Sequence, residues 1–341
     1  MTQKTRVPAG RLILAWVIGL LILVIVAVSS VFLGAASLKV SEVLGAFNLG
    51  GYPAPSPLRQ SILFELRIPR ILMAIAVGAG LAVAGACLQT VTRNPLSEPY
   101  LLGISGGASV GAVVVILFGF GAAVSLTAGA TVGGLLAFGL LMLLLKGTGF
   151  QSHRVVLTGV LVGQLAQAIM FLLMMAKGDA DAVQAIMSWL LGALGASRWD
   201  QLITTTIVAS ASIIVLWAMS RYLDILSFGD ETAESMGVPV VLVRGVVLVV
   251  VSLLTASTVA AVGAIGFVGL IVPHAVRMVV GSAHIRVIPL SALVGAILLV
   301  VADAIARILF DARELPVGVI TALIGVPIFF IILRRDQRSN Q

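Results

Sequence analysis

Charged residues are scarce in this 341-residue chain, and their scarcity excludes a soluble globular fold. Charged types make up 10% of the residues and apolar types 60%, whereas soluble domains average about 25% charged residues. Most of the charge-free stretches reach the roughly 18–20 residues that a membrane-spanning helix needs. The sequence therefore predicts an all-α integral membrane protein. The stretches without Asp, Glu, Lys or Arg are 12–38, 71–92, 99–145, 155–176, 201–220, 245–276, 287–302 and 315–333.

Two of these stretches are long enough to hold two spans each. The stretch 99–145 is interrupted at 119–122, and the stretch 245–276 is interrupted around Gly263 and Gly266. Glycine weakens a helix and favours a break at such points. Splitting both stretches predicts about ten transmembrane helices in one transmembrane domain that covers the whole chain, residues 1–341.

Residues that catalyse reactions or bind metal ions are also few. Cys87 is the single cysteine, so no internal disulfide can form. His153, His274 and His284 are far apart and have no helical i, i+4 partner, which disfavours a metal site. The chain has no phosphate-binding G-x-x-x-x-G-K-[ST] loop and no nucleophile elbow. We expect no enzyme activity and no directly bound cofactor, so ATP, if used, must be hydrolysed by a partner.

The excess of basic residues indicates orientation, not nucleic-acid binding. The chain has 21 Lys and Arg against 14 Asp and Glu, a formal net charge of +7. Cytoplasmic loops of membrane proteins carry such an excess, and this places the tails 1–11 and 334–341 in the cytoplasm. The run 12–34 exceeds the 7–15 apolar residues typical of a signal peptide, so it predicts the first span.

One polar segment, residues 221–240, separates the sixth and seventh spans on the predicted cytoplasmic side. Acidic residues favour a helix start at Asp230, because the helix dipole stabilises them there, and Gly237 and Pro239 form a stop signal. A short helix over 230–236 is therefore predicted. Its pattern fits either a partner-docking helix or an ordinary solvated loop.

Shorter patterns predict how the helices pack. Glycines spaced four residues apart favour close helix contacts; they are Gly103, Gly107, Gly111, Gly129, Gly133, Gly159 and Gly163. The apolar stretch 182–197 predicts an interfacial helix anchored by Trp189. Met170, Met174 and Met175 either line a cavity or fill gaps in the core.

Several long stretches resemble the permease subunits of type II ATP-binding-cassette (ABC) importers, the family that carries iron-siderophores, haem and cobalamin. The similar stretches run in order through most of residues 60–333. They read LRIPRILMAIAVGAGLAVAGACLQTVTRNPLSEPYLLGISGGASVGA, VVLTGVLVG, WLLGALG, GAIGFVGLIVPHAVRMVVG and ADAIARILFDARELPVGVITALIGVPIFFIIL. Matches of this length in several parts are far more specific than one short motif.

The resemblance implies a ten-span subunit of the bacterial cytoplasmic membrane that works with several partners. These are a second permease subunit, identical or paralogous, two cytoplasmic ATPase subunits and an extracytoplasmic substrate-binding protein. The loop after the sixth span is implied to couple to the ATPase. Its coupling residues are Ser227, Gly229, Asp230, Glu231, Thr232, Ala233, Glu234, Ser235, Met236 and Gly237.

The resemblance also assigns a docking site and a gate. Arg67, Arg70 and Arg307 are implied to pair with carboxylates of the binding protein, and we expect them to form an exposed ring of positive charge on the outer face. Interfacial anchoring of the second span is the alternative for Arg67 and Arg70. The cytoplasmic gate is implied at Asn94, Leu96, Ser152 and His153, although family members more often have a small hydroxyl residue where this chain has His153.

The expected cargo is a ferric siderophore, because most members of the family carry one. Haem and cobalamin are the alternatives. A secondary carrier that works without an ATPase is a further alternative, but ionisable residues within the spans, which would carry ion coupling, are few. A purely structural membrane protein would leave the long polar segment 221–240 without a role.

Overall fold

The computed structural model describes residues 9–34, 36–119, 124–310 and 314–339, and within these ranges the regular structure is helical. A π-helical segment, Ile62–Arg67, joins α3 to α4, and a 3₁₀ turn, Pro99–Leu102, precedes α5. The α-helices are α1 (Ala9–Phe32), α2 (Val40–Ala46), α3 (Pro57–Ser61), α4 (Ile68–Val91), α5 (Ile104–Leu117), α6 (Leu126–Leu145), α7 (Ser152–Lys177), α8 (Ala180–Leu190), α9 (Trp199–Ala218), α10 (Ser220–Leu226), α11 (Asp230–Ser235), α12 (Val240–Val262), α13 (Val268–Val280), α14 (His284–Ile308) and α15 (Val317–Ser339).

Ten of these helical segments are apolar, as the sequence predicts. Three are short: Ile104–Leu117, Val268–Val280 and Val317–Phe330. Seven are long and apolar enough to cross a membrane: Gly10–Phe32, Pro57–Val91, Leu126–Leu145, Ser152–Lys177, Trp199–Ala218, Val240–Val262 and His284–Ile308. The architecture is therefore the all-α fold of an integral membrane protein.

The helix α4 lies at the centre of the bundle. In the span that contains it, 78% of the most apolar window is buried, against 6% for α1. It packs against α9, α12, α13 and α14. Its contact with α14 is close because glycines meet there: a Cβ atom on Gly78 would lie 2.9 Å from the Cβ atom of Leu299. Helices without side chains at the contact can approach to backbone distance.

The helices α5, α6 and α7 form a neighbouring layer whose glycines pack as predicted. A Cβ atom on Gly111 would lie 3.2 Å from the Cα atom of Gly133 across the α5–α6 contact. One on Gly103 would lie 2.7 Å from the carbonyl oxygen of Gly159 on α7. Met170 is 6% exposed and packs in the core, whereas Met175 is 89% exposed.

The break expected around Gly263 and Gly266 is confirmed, and it has an unexpected neighbour. The stretch 99–145 holds two helices, α5 and α6, but residues 120–122 of the break expected between them lie outside the described residues. Between α12 and α13 the chain turns through Gly263 and Phe267, which both have positive φ. The Tyr100 hydroxyl lies 2.7 Å from the carbonyl oxygen of Ile265, and the backbone N–H of Phe267 donates to the Glu98 carboxylate at 2.5 Å. Residues 98–102 therefore fold back against this break and give its free backbone groups partners.

Other predicted bounds shift by a few residues. The interfacial helix expected over 182–197 is α8, which ends at Leu190 and is followed by irregular chain in which Ala193 donates to the carbonyl oxygen of Val262 at 2.9 Å. The first helix begins within the tail 1–11, and residues 1–8 lie outside the described residues. Residues 120–123 and 340–341 also lie outside them, whereas residues 334–339 of the predicted tail continue α15.

The glycine contact between α5 and α6 predicts a position-specific loss of stability. Gly133→Leu should lower the free energy of unfolding by about 1–3 kcal/mol or more, because the new side chain would enter the backbone of α5. Gly139→Leu on the same helix is the matched control, since a Cβ atom there meets no other atom within 4 Å. Thermal unfolding of the purified chain in detergent measures both. Equal midpoints for the two variants would contradict this packing.

Candidate functional site

The polar segment 221–240 folds into two short helices, α10 and α11, which rest on the bundle. The predicted helix over 230–236 is confirmed as α11. Ala233 is the buried residue of this helix, and it packs in a small apolar cluster with Leu226 and Val238. Gly229 and Gly237 flank the helix with φ values of +106° and +80°, which residues with a side chain rarely adopt.

Asp230 fixes this segment to two membrane helices. Arg244 of α12 donates to both of its carboxylate oxygens, at 2.9 and 2.6 Å. Arg93, just beyond α4, donates to the same carboxylate at 3.0 Å. Bidentate arginine–carboxylate contacts fix geometry as well as charge. Because the Arg244 side chain is 2% exposed and that of Asp230 is 33% exposed, the carboxylate closes over a buried guanidinium.

A second polar contact ties α10 to the bundle. The ring Nδ1 and the backbone nitrogen of His284 lie 2.6 and 2.9 Å from the Asp224 carboxylate. The other ring nitrogen lies 2.7 Å from the Thr90 hydroxyl of α4. Asp224 therefore joins the polar segment to the start of α14, and the His284 ring continues the contact to α4. The sequence alone predicts neither this contact nor the contacts of Arg93 and Arg244 with Asp230.

The surface of the polar segment that faces away from the bundle carries both polar and apolar side chains. Glu231, Thr232, Glu234, Ser235 and Gly237 are exposed, and Ser227 is exposed at the end of α10. Two apolar side chains accompany them: Met236 is 59% exposed and Phe228 is 58% exposed. Apolar side chains rimmed by polar residues are typical of protein interfaces. Phe228 lies within the loop that the resemblance implies to couple to the ATPase, although it is not one of the residues named for that role.

The predicted gate residues lie around the end of α4. The Ser152 hydroxyl donates to the carbonyl oxygen of Val91 at 3.0 Å and so joins the start of α7 to α4. Asn94 accepts from the backbone N–H of Leu96 at 2.9 Å and forms a tight turn. Leu96 is 48% exposed, and His153 is also exposed. Their gating role stays a prediction.

The expected ring of exposed arginines is wrong as to exposure. Arg67, Arg70 and Arg307 are 6%, 8% and 6% exposed. Arg70 has two carboxylate partners: its Nε lies 2.8 Å from Asp303, and its Nη1 lies 2.7 Å from Glu314. These carboxylates take up most of the positive charge internally. Arg70 and Arg307 therefore already have carboxylate partners within the subunit. The role of the three arginines in docking stays a prediction.

The same arginines tie together the helix ends at this side of the bundle. Arg307 lies 3.1 Å from Asp303 through Nε, and its Nη1 donates to the carbonyl oxygens of Ser30 and Leu33 at 3.1 and 2.8 Å. Arg67 donates to the carbonyl oxygens of Val31 and Ala36. These carbonyls lie at and beyond the end of α1, which lacks helical partners there. A cavity of about 300 Å³ opens beside the arginines.

A further cavity of about 390 Å³ lies between α5 and α7. Gln164 and Gln167 of α7 line it together with Ser105 and Ser109 of α5 and several glycines. The Ser109 hydroxyl is buried and donates to the carbonyl oxygen of Ser105 at 2.8 Å. Metal ligands are not grouped in the described residues: they contain no cluster of three or more His, Cys, Asp or Glu side chains.

Comparison with known proteins gives one consistent result. The model of the FecCD transport family matches residues 21–335. The vitamin B12 import system permease BtuC of Vibrio cholerae is 39% identical over 87% of this chain and 90% of its own. The molybdate permease MolB of Haemophilus influenzae is 35% identical over 94% and 95%, and the iron(3+)-hydroxamate permease FhuG of Bacillus subtilis is 33% identical over 98% and 99%.

A solved structure supports the same assignment. It is an inward-facing metal-chelate type ABC transporter with a TM-score of 0.82 and 33% identity, and the match covers 93% of this chain and 97% of that chain. The likeness therefore extends through nearly the whole length of both chains.

The contact between Asp230 and Arg244 predicts how α11 is held. Asp230→Asn removes the charge opposite a buried guanidinium and should expose residues 230–235 to faster amide hydrogen exchange. Breaking a buried pair costs about 3–5 kcal/mol, and the partial exposure of Asp230 reduces this to about 1–3 kcal/mol. Glu231→Gln is the matched control, because Glu231 is exposed. Equal exchange in the two variants would contradict the assignment.

Proposed function

The chain belongs to the FecCD transport family and is the permease of an ABC importer, and we propose that it carries a ferric siderophore across the bacterial cytoplasmic membrane. The family match over residues 21–335 is the observation that supports the proposal. One relative carries an iron(3+)-hydroxamate by name, and the similar solved structure is of metal-chelate type. An iron complex of a siderophore fits both descriptions.

The proposed complex contains two permease subunits, two ATPase subunits and an extracytoplasmic binding protein. The chain lacks a phosphate-binding loop of its own, so ATP is hydrolysed by the separate ATPase. The exposed side chains of Phe228 and Met236, with the acidic residues between them, form the surface that contacts the ATPase. Such a surface suits a cleft that is apolar at its centre and polar at its rim.

The proposed coupling passes from this surface into the membrane helices. ATP binding moves the ATPase subunits, and α11 moves with them. Asp230 transmits the movement to α4 through Arg93 and to α12 through Arg244, which it contacts at 3.0 and 2.6 Å. The helices then move as rigid bodies and switch the pathway between its two openings. Side chains near Asn94, Leu96, Ser152 and His153 close the cytoplasmic end by packing and excluding water.

The binding protein is proposed to dock at Arg67, Arg70 and Arg307. Its carboxylates would compete with Glu314 for Arg70, and Glu314 is the easier partner to displace because its side chain is 46% exposed while that of Asp303 is 1% exposed. Docking by this exchange would preserve the buried pair with Asp303. It would also depend on salt, as partly exposed ion pairs do.

Cobalamin is the alternative cargo with a specific observation in its favour, since a relative at 39% identity is a vitamin B12 permease. Haem is the further alternative within the expected substrate range. A secondary carrier, the alternative of another class, would transport without an ATPase.

The cargo is tested by ATP-dependent uptake into vesicles that hold the full complex with its ATPase and binding protein. A ferric hydroxamate, haem and cobalamin are compared in parallel, and vesicles with the permease alone are the control. We expect uptake of the ferric siderophore alone, only with ATP and only in the full complex. Uptake of cobalamin or haem instead would reject the siderophore, and uptake by the permease alone would reject the importer mechanism.

The coupling surface is tested by two substitutions at one position. Met236→Asp should lower ATP-driven uptake at least tenfold, because a charge replaces an apolar contact in the proposed ATPase cleft, a loss of about 1.4 kcal/mol or more. Met236→Leu is the matched control and should retain uptake. Co-purification of the ATPase subunits with each variant shows whether contact is lost. Full uptake by Met236→Asp would remove Met236 from the coupling surface.

A further inference from the structure

An exposed face of α7 carries two amide side chains where a membrane helix would ordinarily be apolar throughout. Gln164 and Gln167 are both exposed, and within the described part of the chain neither amide has a hydrogen-bonding partner. His153 and Val160 lie on the same face, because intervals of seven, four and three residues return to one side of a helix that turns about 100° per residue. The face therefore runs from the cytoplasmic start of the helix to its middle.

The neighbouring face of α7 has the opposite character. Leu161, Leu165 and Leu172 are 59%, 51% and 67% exposed. They fit hydrocarbon, whereas an amide group in hydrocarbon without a partner costs about 4–8 kcal/mol on a cyclohexane scale. Polar side chains of membrane helices therefore face protein or a water-filled cavity. The leucine face meets lipid, and the glutamine face meets something polar.

The cavity beside the glutamines indicates which polar surroundings their amides meet. Its volume is about 390 Å³, and its opposite wall is the glycine-rich start of α5, with Ser105 and Gly106. Close contact of α5 with α7 at Gly103 leaves this wall almost without side chains. The lining contains no Asp, Glu, Lys, Arg or His. Tyr100 is its one titratable residue, and the Tyr100 hydroxyl is bonded to the backbone of Ile265.

We propose that Gln164, Gln167 and Ser105 contact the cargo in a water-filled pathway, and that the cargo is an electroneutral metal chelate with amide, carbonyl or hydroxyl groups on its surface. The inference rests on the proposed function and narrows its substrate class. Amides and hydroxyls donate to and accept from such groups. A free oxyanion such as molybdate, the named cargo of one relative, finds no cation in the lining to replace its hydration. A neutral chelate carries no such charge.

Cysteine labelling tests the water-filled pathway independently of transport. The one native cysteine, Cys87, is 0% exposed, so the unmodified chain has a low background. In the assembled complex with its ATPase, a charged methanethiosulfonate reagent should modify Gln164→Cys and Gln167→Cys. Leu165→Cys, one residue along, should resist it, because a thiol in hydrocarbon does not ionise.

Two results of the labelling would overturn the pathway. Equal modification at all three positions would show that the faces do not differ. Protection of Gln164→Cys together with a disulfide cross-link between two copies of the chain would place the glutamines in a dry subunit contact.

Uptake by the full complex tests the contact and the substrate class. Gln164→Leu/Gln167→Leu should lower uptake of a neutral ferric trihydroxamate at least tenfold, while Leu165→Ala, the control on the lipid face, should leave it within twofold. Thermal unfolding of both variants checks that they fold. Gln164→Lys should also lower this uptake.

The contrary outcomes separate the inference from the function on which it rests. Normal uptake by the folded double variant would remove the glutamines from the cargo contact. Uptake of molybdate by the wild-type complex, or stimulation of any anion's uptake by Gln164→Lys, would overturn the electroneutral class. Wild-type vesicles that take up no metal chelate would instead reject the proposed function, and the labelling result would still decide whether the pathway is wet.

Discussion

At each end of the helix α4, an arginine forms an ion pair with an aspartate of another helix. These two ion pairs connect the two surfaces of the subunit through α4. Arg70 near its start binds Asp303 of α14 at 2.8 Å, and Arg93 beyond its end binds Asp230 of α11 at 3.0 Å. Each aspartate also forms an ion pair with a second arginine: Asp303 with Arg307, and Asp230 with Arg244. Because its surroundings are closely packed, we expect α4 to move together with the helices to which it is paired.

The ion pairs at the two ends of α4 differ in how far their carboxylates are exposed to solvent. The difference suits a fixed contact at Asp303 and a coupling contact at Asp230. The Asp303 side chain is 1% exposed and lies among helix ends that hold their shape. That of Asp230 is 33% exposed and lies at the edge of a short helix of six residues. A short helix has little stability of its own, so its position depends on the ion pairs and on the small apolar cluster beneath Ala233. In the proposed coupling, a force applied to α11 would therefore be passed to α4 and α12 through these ion pairs.

Much of the fold could be predicted from the sequence, because it depends on local composition. The apolar runs, the breaks near Gly119 and Gly263 and the short helix at Asp230 all follow from length, glycine and charge within a few residues. The burial of the arginines could not be predicted, because Asp303 and Glu314 lie 233 and 244 positions from Arg70 in the chain. Arginine at a helix end looks the same in sequence whether it faces water or a carboxylate from a distant helix.

The contacts of the polar segment 221–240 could not be predicted for the same reason. The acidic start of α11 was explained by the helix dipole, and nothing local indicated that Arg93, 137 residues away, would meet Asp230. The return of residues 98–102 to the break between α12 and α13 could not be predicted either, since the partner of Tyr100, Ile265, lies 165 positions away in the chain. The glutamines of α7 were visible in the sequence, but their meaning depends on which face of the helix is exposed.

The proposed coupling requires that the polar segment 221–240 and the end of α4 move as one body. It is tested most directly by the distance between spin labels on Leu96→Cys and Met236→Cys, both at exposed positions, in the assembled complex with and without bound ATP. We expect this distance to stay the same within one subunit while the distance between the two copies of Met236→Cys changes. A change within the subunit that equals the change between subunits would contradict it.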